Sequence, residues 1–388
     1  MDERDDDTTG TWREDDPVGR RRFCDVGTIP LERGGELPAV RVAFETWGEL
    51  APDASNAVLV LHALTGDSHV AGPAEPGHPT PGWWDGLVGP GSAIDTDRWF
   101  VVCPNVLGGC QGTTGPSSPA PDGQPWASRF PFLTVRDQVE AERRLADALG
   151  IDAWAAVIGG SMGAMRVLEW GVTHPDRVRG MAPIAVGAVA SADQIALQSI
   201  QLQAIRADPA WRGGDELLDP RGPQPHAGLA VARRLAHWSY RSRLELGTRF
   251  DREPQPGEDP LGGGGRFAVE SYLDHHGRKL TRRFTAASYV VLTEVMNSHD
   301  IGRGRGGVAP ALARYDGEVA IAGIDSDRLY PIEEQHELAR HLIGPDAHAT
   351  PIRSPYGHDG FLIETRQVGA VITDLLERVA AVPLGGRR

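Results

Sequence analysis

Short apolar runs alternate with amphipathic stretches along the first half of this 388-residue chain. Residues 57–61, 99–103 and 154–158 are such runs, and residues 134–149 carry apolar side chains at helical spacing. Strands without a polar face must be covered on both sides, which requires helices above and below the sheet. The alternation therefore predicts an α/β fold with a mostly parallel central sheet.

A long segment without strand-like runs interrupts this pattern. Helical periodicity dominates there, most clearly in residues 191–205, 227–240 and 282–297. Residues 251–265, with three prolines and four consecutive glycines, predict a mobile loop inside the segment. We therefore predict a disordered acidic tail over residues 1–17, a core formed by residues 18–186 and 306–388, and a helical lid inserted at residues 187–305.

The charge balance and the cysteine content argue against several classes of function. With 53 acidic and 39 basic residues and a formal net charge of −14, the chain lacks the basic excess that a nucleic-acid partner requires. Neither a secretory signal nor an apolar run long enough to span a bilayer is present, which predicts a cytoplasmic protein with no membrane partner. Cys24, Cys103 and Cys110 are too few and too irregularly spaced for a structural metal site, so we expect no metal.

The motif Gly-x-Ser-x-Gly occurs where an apolar run gives way to helical spacing. Ser161 lies between Gly159-Gly160 and Met162-Gly163, ahead of residues 164–171. At a strand-to-helix junction, small neighbours permit a sharp turn that lifts the serine hydroxyl above the sheet. The start of the following helix also favours a developing negative charge. A glycine-rich turn can carry these residues by chance, but the flanking elements favour a nucleophilic serine.

A nucleophilic serine needs a base, and the base needs an orienting carboxylate. In the α/β-hydrolase order both follow the serine in the chain. His358 follows an apolar run and precedes the final helical stretch, which makes it the candidate base. The apolar residues 319–324 end in Asp325-Ser326-Asp327, so a carboxylate falls at the carboxyl edge of the sheet. Spacing alone does not decide whether Asp325 or Asp327 is the orienting carboxylate.

The oxyanion of an acyl-transfer intermediate needs two amide donors. One is expected from Met162, the residue after the serine. The other is expected from a loop after an earlier strand, and the apolar residues 57–61 lead into the loop 62–66. Leu64 is the candidate second donor, although a buried leucine beneath a turn is the simpler interpretation of its side chain.

Three further motifs do not support a site of their own. Residues 302–307 match the dinucleotide pattern Gly-x-Gly-x-x-Gly, but no strand leads into them, so we reject a nucleotide site. Residues 108–115 are glycine-rich but lack the lysine of a phosphate loop, and we expect them to form a wall of the active-site cleft. His275 and His276 are expected to form a solvated pair.

Several segments taken together resemble one family, the homoserine O-acetyltransferases of the α/β-hydrolase fold. The resemblance runs from about residue 25 to residue 378. No single motif is specific to this family, but the motifs taken together are. The segments that carry it are His62-Ala63-Leu64-Thr65-Gly66-Asp67, Asn105-Val106-Leu107-Gly108-Gly109-Cys110, Gly112-Thr113-Thr114-Gly115-Pro116, Gly159-Gly160-Ser161-Met162-Gly163, Leu168-Glu169-Trp170 and Gly357-His358-Asp359.

The resemblance implies an α/β-hydrolase core with an inserted helical lid, and a homodimer formed through that lid. It also implies transfer of an acetyl group from the co-substrate acetyl-CoA to the side-chain hydroxyl of L-homoserine, by a ping-pong acyl-serine mechanism in methionine biosynthesis. No cofactor is implied.

The resemblance also assigns residues. Residues 326–331 match the family pattern around the catalytic acid, which selects Asp327. In the lid, Arg233 matches the arginine that receives the homoserine carboxylate, with Tyr240 two helical turns away on the same face. Asp359 matches the partner of the substrate ammonium group. The chain departs from the family pattern at Ala164, where glycine is common, and at Gly360, where alanine is common.

Other functions remain open from the sequence. The donor can be succinyl instead of acetyl, and the acceptor can be serine instead of homoserine. With water as acceptor, the same catalytic residues would make an esterase or a thioesterase, although Arg233 and Asp359 favour a transferase. A non-catalytic binding protein on the same fold is the alternative from another class, and the presence of all three catalytic residue types argues against it.

Overall fold

The computed structural model describes residues 10–382, and over that range the chain forms a sheet with helices on both faces. The strands are β1 (Arg22–Pro30), β2 (Glu36–Trp47), β3 (Ala57–Leu61), β4 (Val88–Gly89), β5 (Ile94–Asp95), β6 (Phe100–Pro104), β7 (Ala156–Gly160), β8 (Gly180–Ile184), β9 (Glu318–Val319), β10 (Ala322–Ile324) and β11 (Thr350–Ile352). The helices are α1 (Val135–Ala148), α2 (Met162–Thr173), α3 (Ala192–Arg206), α4 (His226–Tyr240), α5 (Arg243–Phe250), α6 (Ala268–Thr281), α7 (Ala286–Asn297), α8 (Val308–Leu312), α9 (Ile332–Leu342), α10 (Gly360–Ile363) and α11 (Thr365–Ala381).

The main sheet has the strand order β1-β2-β6-β3-β7-β8-β10-β11, with β9 paired to β8 outside this path. Strands from β6 onward in this order are parallel, whereas β1 with β2 and β2 with β6 are antiparallel. Every residue of β3, β6, β7 and β8 is buried, as expected for strands covered on both faces. The predicted α/β fold with a mostly parallel sheet is confirmed.

The antiparallel pair β1–β2 was not predicted from the sequence. Its burial pattern is irregular, with exposed residues scattered along β1, so it lacks the continuous apolar run that marked the central strands. Strand β7 also begins and ends later than the apolar run 154–158. The strand extends beyond residue 158 because Gly159 and Gly160, which we expected in the turn, pair with Pro183 and Ile184 of β8.

The predicted lid segment contains α3 to α7. Two of the three predicted helices, residues 191–205 and 227–240, correspond to α3 and α4. The third was predicted from residue 282, but α7 begins at Ala286, because the Thr285 side chain accepts a hydrogen bond from Ser288 N and caps the helix there. Helices α5 and α6 were missed. Residues 251–265 contain no helix, as expected for a loop.

The predicted tail, residues 1–17, lies partly outside the described residues. In its described part, residues 10–12 are half-buried and residues 13–17 are exposed. Trp12 donates its backbone N–H to the Cys110 carbonyl at 2.9 Å, and its ring lies 5.0 Å from that of Phe23.

Between Gly10 and Val382, no helix is both long enough and apolar enough to cross a membrane.

Candidate active site

Ser161 lies at the turn between β7 and α2, in a backbone conformation that non-glycine residues rarely adopt. Its φ is 57° and its ψ is −127°. The turn is possible because Gly163 packs directly on β3: a Cβ atom at this position would lie 2.1 Å from the Leu61 carbonyl oxygen. This close approach brings Ser161, which immediately precedes α2, to the carboxyl edge of the sheet, as the motif predicted.

His358 and Asp327 lie at the same edge of the sheet. Asp327 follows β10, and His358 belongs to a short helical turn, Gly357–Asp359, after β11. The Nε2 atom of His358 is 2.8 Å from Ser161 Oγ, and its Nδ1 atom is 2.6 Å from Asp327 Oδ2. Because a carboxylate only accepts, Nδ1 carries the imidazole proton and Nε2 is free to accept the serine O–H. The structure thus joins the three residues in one hydrogen-bonded chain.

The geometry also shows which of the two candidate aspartates, Asp325 or Asp327, contacts His358. The second oxygen of Asp327, Oδ1, accepts the backbone N–H groups of Leu329 at 2.8 Å and Tyr330 at 3.0 Å. Asp325 is exposed and instead accepts from the Ser354 backbone at 3.0 Å, which links the ends of β10 and β11. Only Asp327 faces the imidazole.

The environment of His358 favours its protonated form. Burial of the ring disfavours the imidazolium, but the charge and the hydrogen bond of Asp327 outweigh burial and raise the pKa of His358 above its ordinary value. The ring of Tyr330 stacks on the imidazole at a centroid distance of 5.1 Å. This packing fixes the plane of the ring, so Nε2 stays directed at the serine.

The two predicted oxyanion donors lie beside the serine. Met162 is the first residue of α2, so its backbone N–H has no carbonyl partner within the helix. Leu64 lines a small cavity together with Ser161. Their roles as donors stay predictions.

A buried ion pair beneath the Leu64 loop was missed from the sequence. Arg166 is fully buried, forms an ion pair with Glu142 Oε1 at 2.6 Å and donates to the His62 carbonyl. The other oxygen of Glu142, Oε2, accepts the Trp170 ring N–H at 2.8 Å. This pair attaches α1 and α2 to the start of the loop that contains Leu64. Arg166 and Glu142 each lie at the spacing of an ordinary amphipathic helix, so nothing in the sequence indicated that they form a buried ion pair.

Arg233 of α4 reaches the same region from the lid. Its Nη1 atom lies 3.3 Å from Thr65 Oγ1, and its guanidinium stands 5.5 Å from the centre of the Tyr240 ring. The Tyr240 ring in turn lies 5.8 Å from that of His358. Arg233 forms no ion pair with any residue between Gly10 and Val382, whereas its neighbour Arg234 pairs with Asp274 at 2.8 Å. The structure therefore leaves Arg233 available for an external anion.

Asp359 already has a partner in the structure, which sequence reasoning missed. Arg241 Nη2 lies 3.3 Å from Asp359 Oδ2, so this carboxylate is paired with a lid arginine. Burial raises the pKa of Asp359, and the nearby cations Arg241, His358 and Arg233 oppose that rise. Tyr240 marked this region of the lid in the sequence, but only the fold shows that the next residue, Arg241, contacts Asp359.

One buried cluster of the described residues, Glu45 with His69 and His78, has donor atoms close enough to share a metal ion. Both ring nitrogens of His69 face acceptors: Nδ1 is 3.0 Å from Glu45 Oε2, and Nε2 is 3.2 Å from the Pro73 carbonyl oxygen. Both ring nitrogens act as donors in this arrangement, so the His69 side chain is an imidazolium that faces the Glu45 carboxylate. Burial opposes this charge, but Glu45 outweighs it and raises the pKa of His69. We interpret the cluster as a buried ion pair.

The rejected motifs have structural roles. Residues 302–307 form irregular turns, in which Arg303 pairs with Glu32 and Arg305 with Glu169. The expectation of a solvated pair at His275 and His276 is wrong for the second residue. His276 is half-buried, and its ring packs 3.9 Å from that of His237.

Comparison with known proteins agrees with this geometry. Residues 56–365 match the family model of the alpha/beta hydrolase fold. A homoserine O-acetyltransferase of Thermobifida fusca (strain YX) is 61% identical over 369 residues, which cover 95% of this chain and 97% of that protein. The chain belongs to the homoserine O-acetyltransferase family. The resemblance that the motifs indicated is thereby confirmed over nearly the full length.

Solved structures place the family within a wider fold. The homoserine O-acetyltransferase of Bacillus anthracis matches with a TM-score of 0.83 at 26% identity, covering 92% of this chain and 97% of the other. Esterase E22 matches equally well, with a TM-score of 0.83 at 24% identity, covering 92% and 99%. Overall shape therefore does not separate acyl transfer to an alcohol from ester hydrolysis, and the distinction rests on the residues around Ser161.

Proposed function

We propose that this chain is a homoserine O-acetyltransferase that transfers the acetyl group of acetyl-CoA to the side-chain hydroxyl of L-homoserine, a step of methionine biosynthesis. The observation that carries the proposal is the position of Arg233. Its guanidinium, which forms no ion pair within residues 10–382, contacts Tyr240, and the Tyr240 ring lies beside His358. An amino-acid carboxylate bound there by a planar, bidentate guanidinium would place its side chain beside the nucleophile and the base.

In the first half-reaction Ser161 is acetylated. His358 takes the serine proton through Nε2 as Oγ attacks the thioester carbonyl, and the amides of Leu64 and Met162 stabilise the oxyanion. The C–S bond then breaks, and the proton on His358 passes to the departing CoA thiolate. Asp327 holds the imidazole in the required tautomer and offsets its transient positive charge.

In the second half-reaction the acetyl group leaves the serine. Homoserine binds with its carboxylate on Arg233, and its ammonium group on Asp359. His358 removes the proton of the homoserine hydroxyl, which attacks the acyl-serine, and then returns that proton to Ser161. The chain's own side chains supply the nucleophile, the base and the orienting acid, so we propose that the reaction needs no cofactor or metal besides the co-substrate.

Arg241 complicates the role of Asp359, because the two are already paired at 3.3 Å. We propose that the substrate ammonium group adds to this pair instead of replacing Arg241. The carboxylate has two oxygens, and only Oδ2 is engaged by Arg241. The remaining oxygen is then the acceptor for the ammonium group.

The second candidate function is that of an esterase or thioesterase, because esterase E22 has the same fold. The test follows thiol release from acetyl-CoA with L-homoserine, with L-serine and with no acceptor. The proposal expects release that depends on homoserine and yields O-acetylhomoserine. Equal release without acceptor would make water the acceptor and replace our proposal with the hydrolase.

We further propose that the chain forms a homodimer through the lid and works in the cytoplasm. Lid helices expose large apolar side chains that a partner would cover: Ile200 is 59% exposed, Val231 51% and Leu244 67%. The three cysteines carry free thiols, which suits a reducing compartment. Sedimentation analysis of the wild type and of Leu244→Glu tests the dimer, and a monomeric wild type would contradict it.

A further inference from the structure

The peptide group between Ala63 and Leu64 is held at one end and unpaired at the other. The Ala63 carbonyl oxygen lies 2.9 Å from the Gly66 backbone N–H, which it accepts, and 2.7 Å from His62 Nδ1. The N–H of Leu64 donates to no residue between Gly10 and Val382. Leu64 is 6% exposed and lines the same cavity as Ser161. This unpaired amide is therefore placed as an oxyanion donor needs to be.

The His62 ring is held in one tautomer. The backbone N–H of Val106 can only donate, and it lies 3.0 Å from His62 Nε2, so Nε2 accepts and Nδ1 carries the ring proton. The Nδ1–H therefore donates to the Ala63 carbonyl. Burial and the nearby charge of Arg166 lower the pKa of His62 to about 3, so the ring is neutral at physiological pH.

The neighbours of His62 fix its position. Its ring is buried, and its own carbonyl accepts a hydrogen bond from the guanidinium of Arg166. Gly66 packs directly on the side chain: a Cβ atom at this position would lie 2.8 Å from His62 Cβ and 3.1 Å from His62 Nδ1. The absence of a side chain at residue 66 therefore allows the imidazole to reach the Ala63 carbonyl.

A hydrogen bond to the Ala63 carbonyl also sets the direction of the Leu64 N–H. The peptide group is planar and trans, so its C=O and N–H bonds point in opposite directions, and fixing one fixes the other. Donors at the carbonyl polarise the peptide and strengthen its N–H as a donor. Both effects matter for catalysis, because an oxyanion donor is most effective when it is oriented before the charge develops.

We infer that His62 is a positioning residue: by donating to the Ala63 carbonyl it directs the Leu64 N–H at the oxyanion of the acyl-transfer intermediate. His62 acts through this peptide group and exchanges no proton in the reaction. The inference rests on the proposed acylation of Ser161, but not on the identity of the acceptor that later removes the acyl group.

Two substitutions separate the roles of the two ring nitrogens. Asparagine places an amide N–H near the position of Nδ1, so His62→Asn keeps a donor for the Ala63 carbonyl. Glutamine places its amide oxygen near the position of Nε2, so His62→Gln keeps an acceptor for Val106 and loses that donor. We expect kcat/KM for acetyl-CoA to fall roughly 100-fold or more in His62→Gln, as for a lost oxyanion donor. In His62→Asn it should fall about tenfold or less. An equal or larger loss in His62→Asn would overturn the inference.

Binding of a tetrahedral mimic distinguishes a misdirected amide from a general disturbance of the site. A trifluoromethyl ketone analogue of acetyl-CoA is the probe. The Ser161 oxygen adds to its carbonyl carbon, the serine proton passes to His358, and the former carbonyl oxygen carries the negative charge. We expect the inhibition constant of this ketone to rise in His62→Gln by the factor by which kcat/KM falls, with the Kd of CoA unchanged. Equal weakening of both ligands, or an unchanged inhibition constant, would contradict the role of His62.

Gly66→Ala tests the same contact without changing His62, which keeps the inference testable if His62→Gln does not fold. The added Cβ should displace the imidazole and weaken ketone binding but not CoA binding, whereas Gly247→Ala, with nothing within 4 Å of its Cβ, should change neither. Unchanged ketone binding in a folded Gly66→Ala protein would contradict the inference.

Failure of the inference is distinguishable from failure of the proposed function. Thiol release that ignores homoserine would overturn the transferase, but Ser161 would still be acylated and the effect of His62 could still be measured. Homoserine-dependent release that is equally fast in the wild type and in His62→Gln would overturn only the role of His62.

Discussion

The Nδ1 atom of His358 lies 2.6 Å from Asp327 Oδ2, and this contact between two buried side chains sets the protonation behaviour of the proposed base. Because the pKa of His358 is raised above its ordinary value of 6.5, the neutral form that accepts the Ser161 proton predominates only at higher pH. We predict that kcat/KM falls as pH decreases, with a midpoint above 6.5. A pH profile with the acid limb below 6.5 would contradict this account.

Asp327→Asn provides the control for that profile. The asparagine cannot offset the imidazolium charge, so the midpoint of the acid limb should shift to lower pH. Turnover should also fall by roughly 10⁴-fold, since the wrong tautomer is favoured. Asp325→Asn, in the exposed aspartate that links β10 and β11, should leave the midpoint in place.

Arg233→Ala should weaken the binding of homoserine, the acceptor, and leave the reaction with acetyl-CoA, the donor, unchanged. Loss of a charged partner for the homoserine carboxylate is expected to raise KM for homoserine roughly 30-fold or more, corresponding to at least about 2 kcal/mol. Acetylation of Ser161, measured as the pre-steady-state burst of thiol without acceptor, should be unchanged. Arg234→Ala is the matched control, because Arg234 pairs with Asp274. Similar KM values for the two variants would remove Arg233 from the acceptor site.

Gly163→Ala should destabilise the protein at the nucleophile turn. Its Cβ would lie 2.1 Å from the Leu61 carbonyl oxygen, so β3 and α2 must separate. We expect a loss of about 1–3 kcal/mol in the free energy of unfolding, together with a loss of turnover. Gly247→Ala in α5 is the control, because nothing lies within 4 Å of its Cβ. That change should stabilise the protein by about 0.4–1 kcal/mol.

Glu334 at the start of α9 should make stability depend on pH. Burial raises its pKa to about 7, and the charge of Asp327 adds to the rise. A folded-state pKa above the ordinary 4.5 means that the carboxyl group favours folding at low pH, and that this contribution is lost as pH rises through about 7. We predict that Glu334→Gln raises Tm relative to the wild type at pH 8 but not at pH 4.5. The exposed neighbour change Glu333→Gln should show no such difference.

The parts of the molecule that the sequence predicted are those with a local signal. The buried strand β3, the turn at Ser161 and the loop position of His358 each combine a residue pattern with a neighbouring element, so their places followed from the chain alone. The choice of Asp327 over Asp325 did not follow from spacing, because both residues stand at the end of the same strand. The family resemblance selected Asp327, and the structure shows that residue facing the imidazole.

The parts that the sequence did not predict depend on contacts between distant segments. Arg241 pairs with Asp359 across the lid and the core, and Arg166 pairs with Glu142 across two helices. A charged residue at helical spacing looks the same whether it faces solvent or a buried partner.

The central claim is that Ser161 carries the acetyl group and homoserine removes it. The most direct measurement mixes the enzyme with acetyl-CoA without acceptor, maps the acetylated peptide by mass spectrometry, and then adds L-homoserine or buffer. The account predicts acetylation at Ser161, its absence in Ser161→Ala, and discharge to O-acetylhomoserine much faster than discharge to water. Acetylation elsewhere, or equally fast discharge in buffer alone, would contradict it.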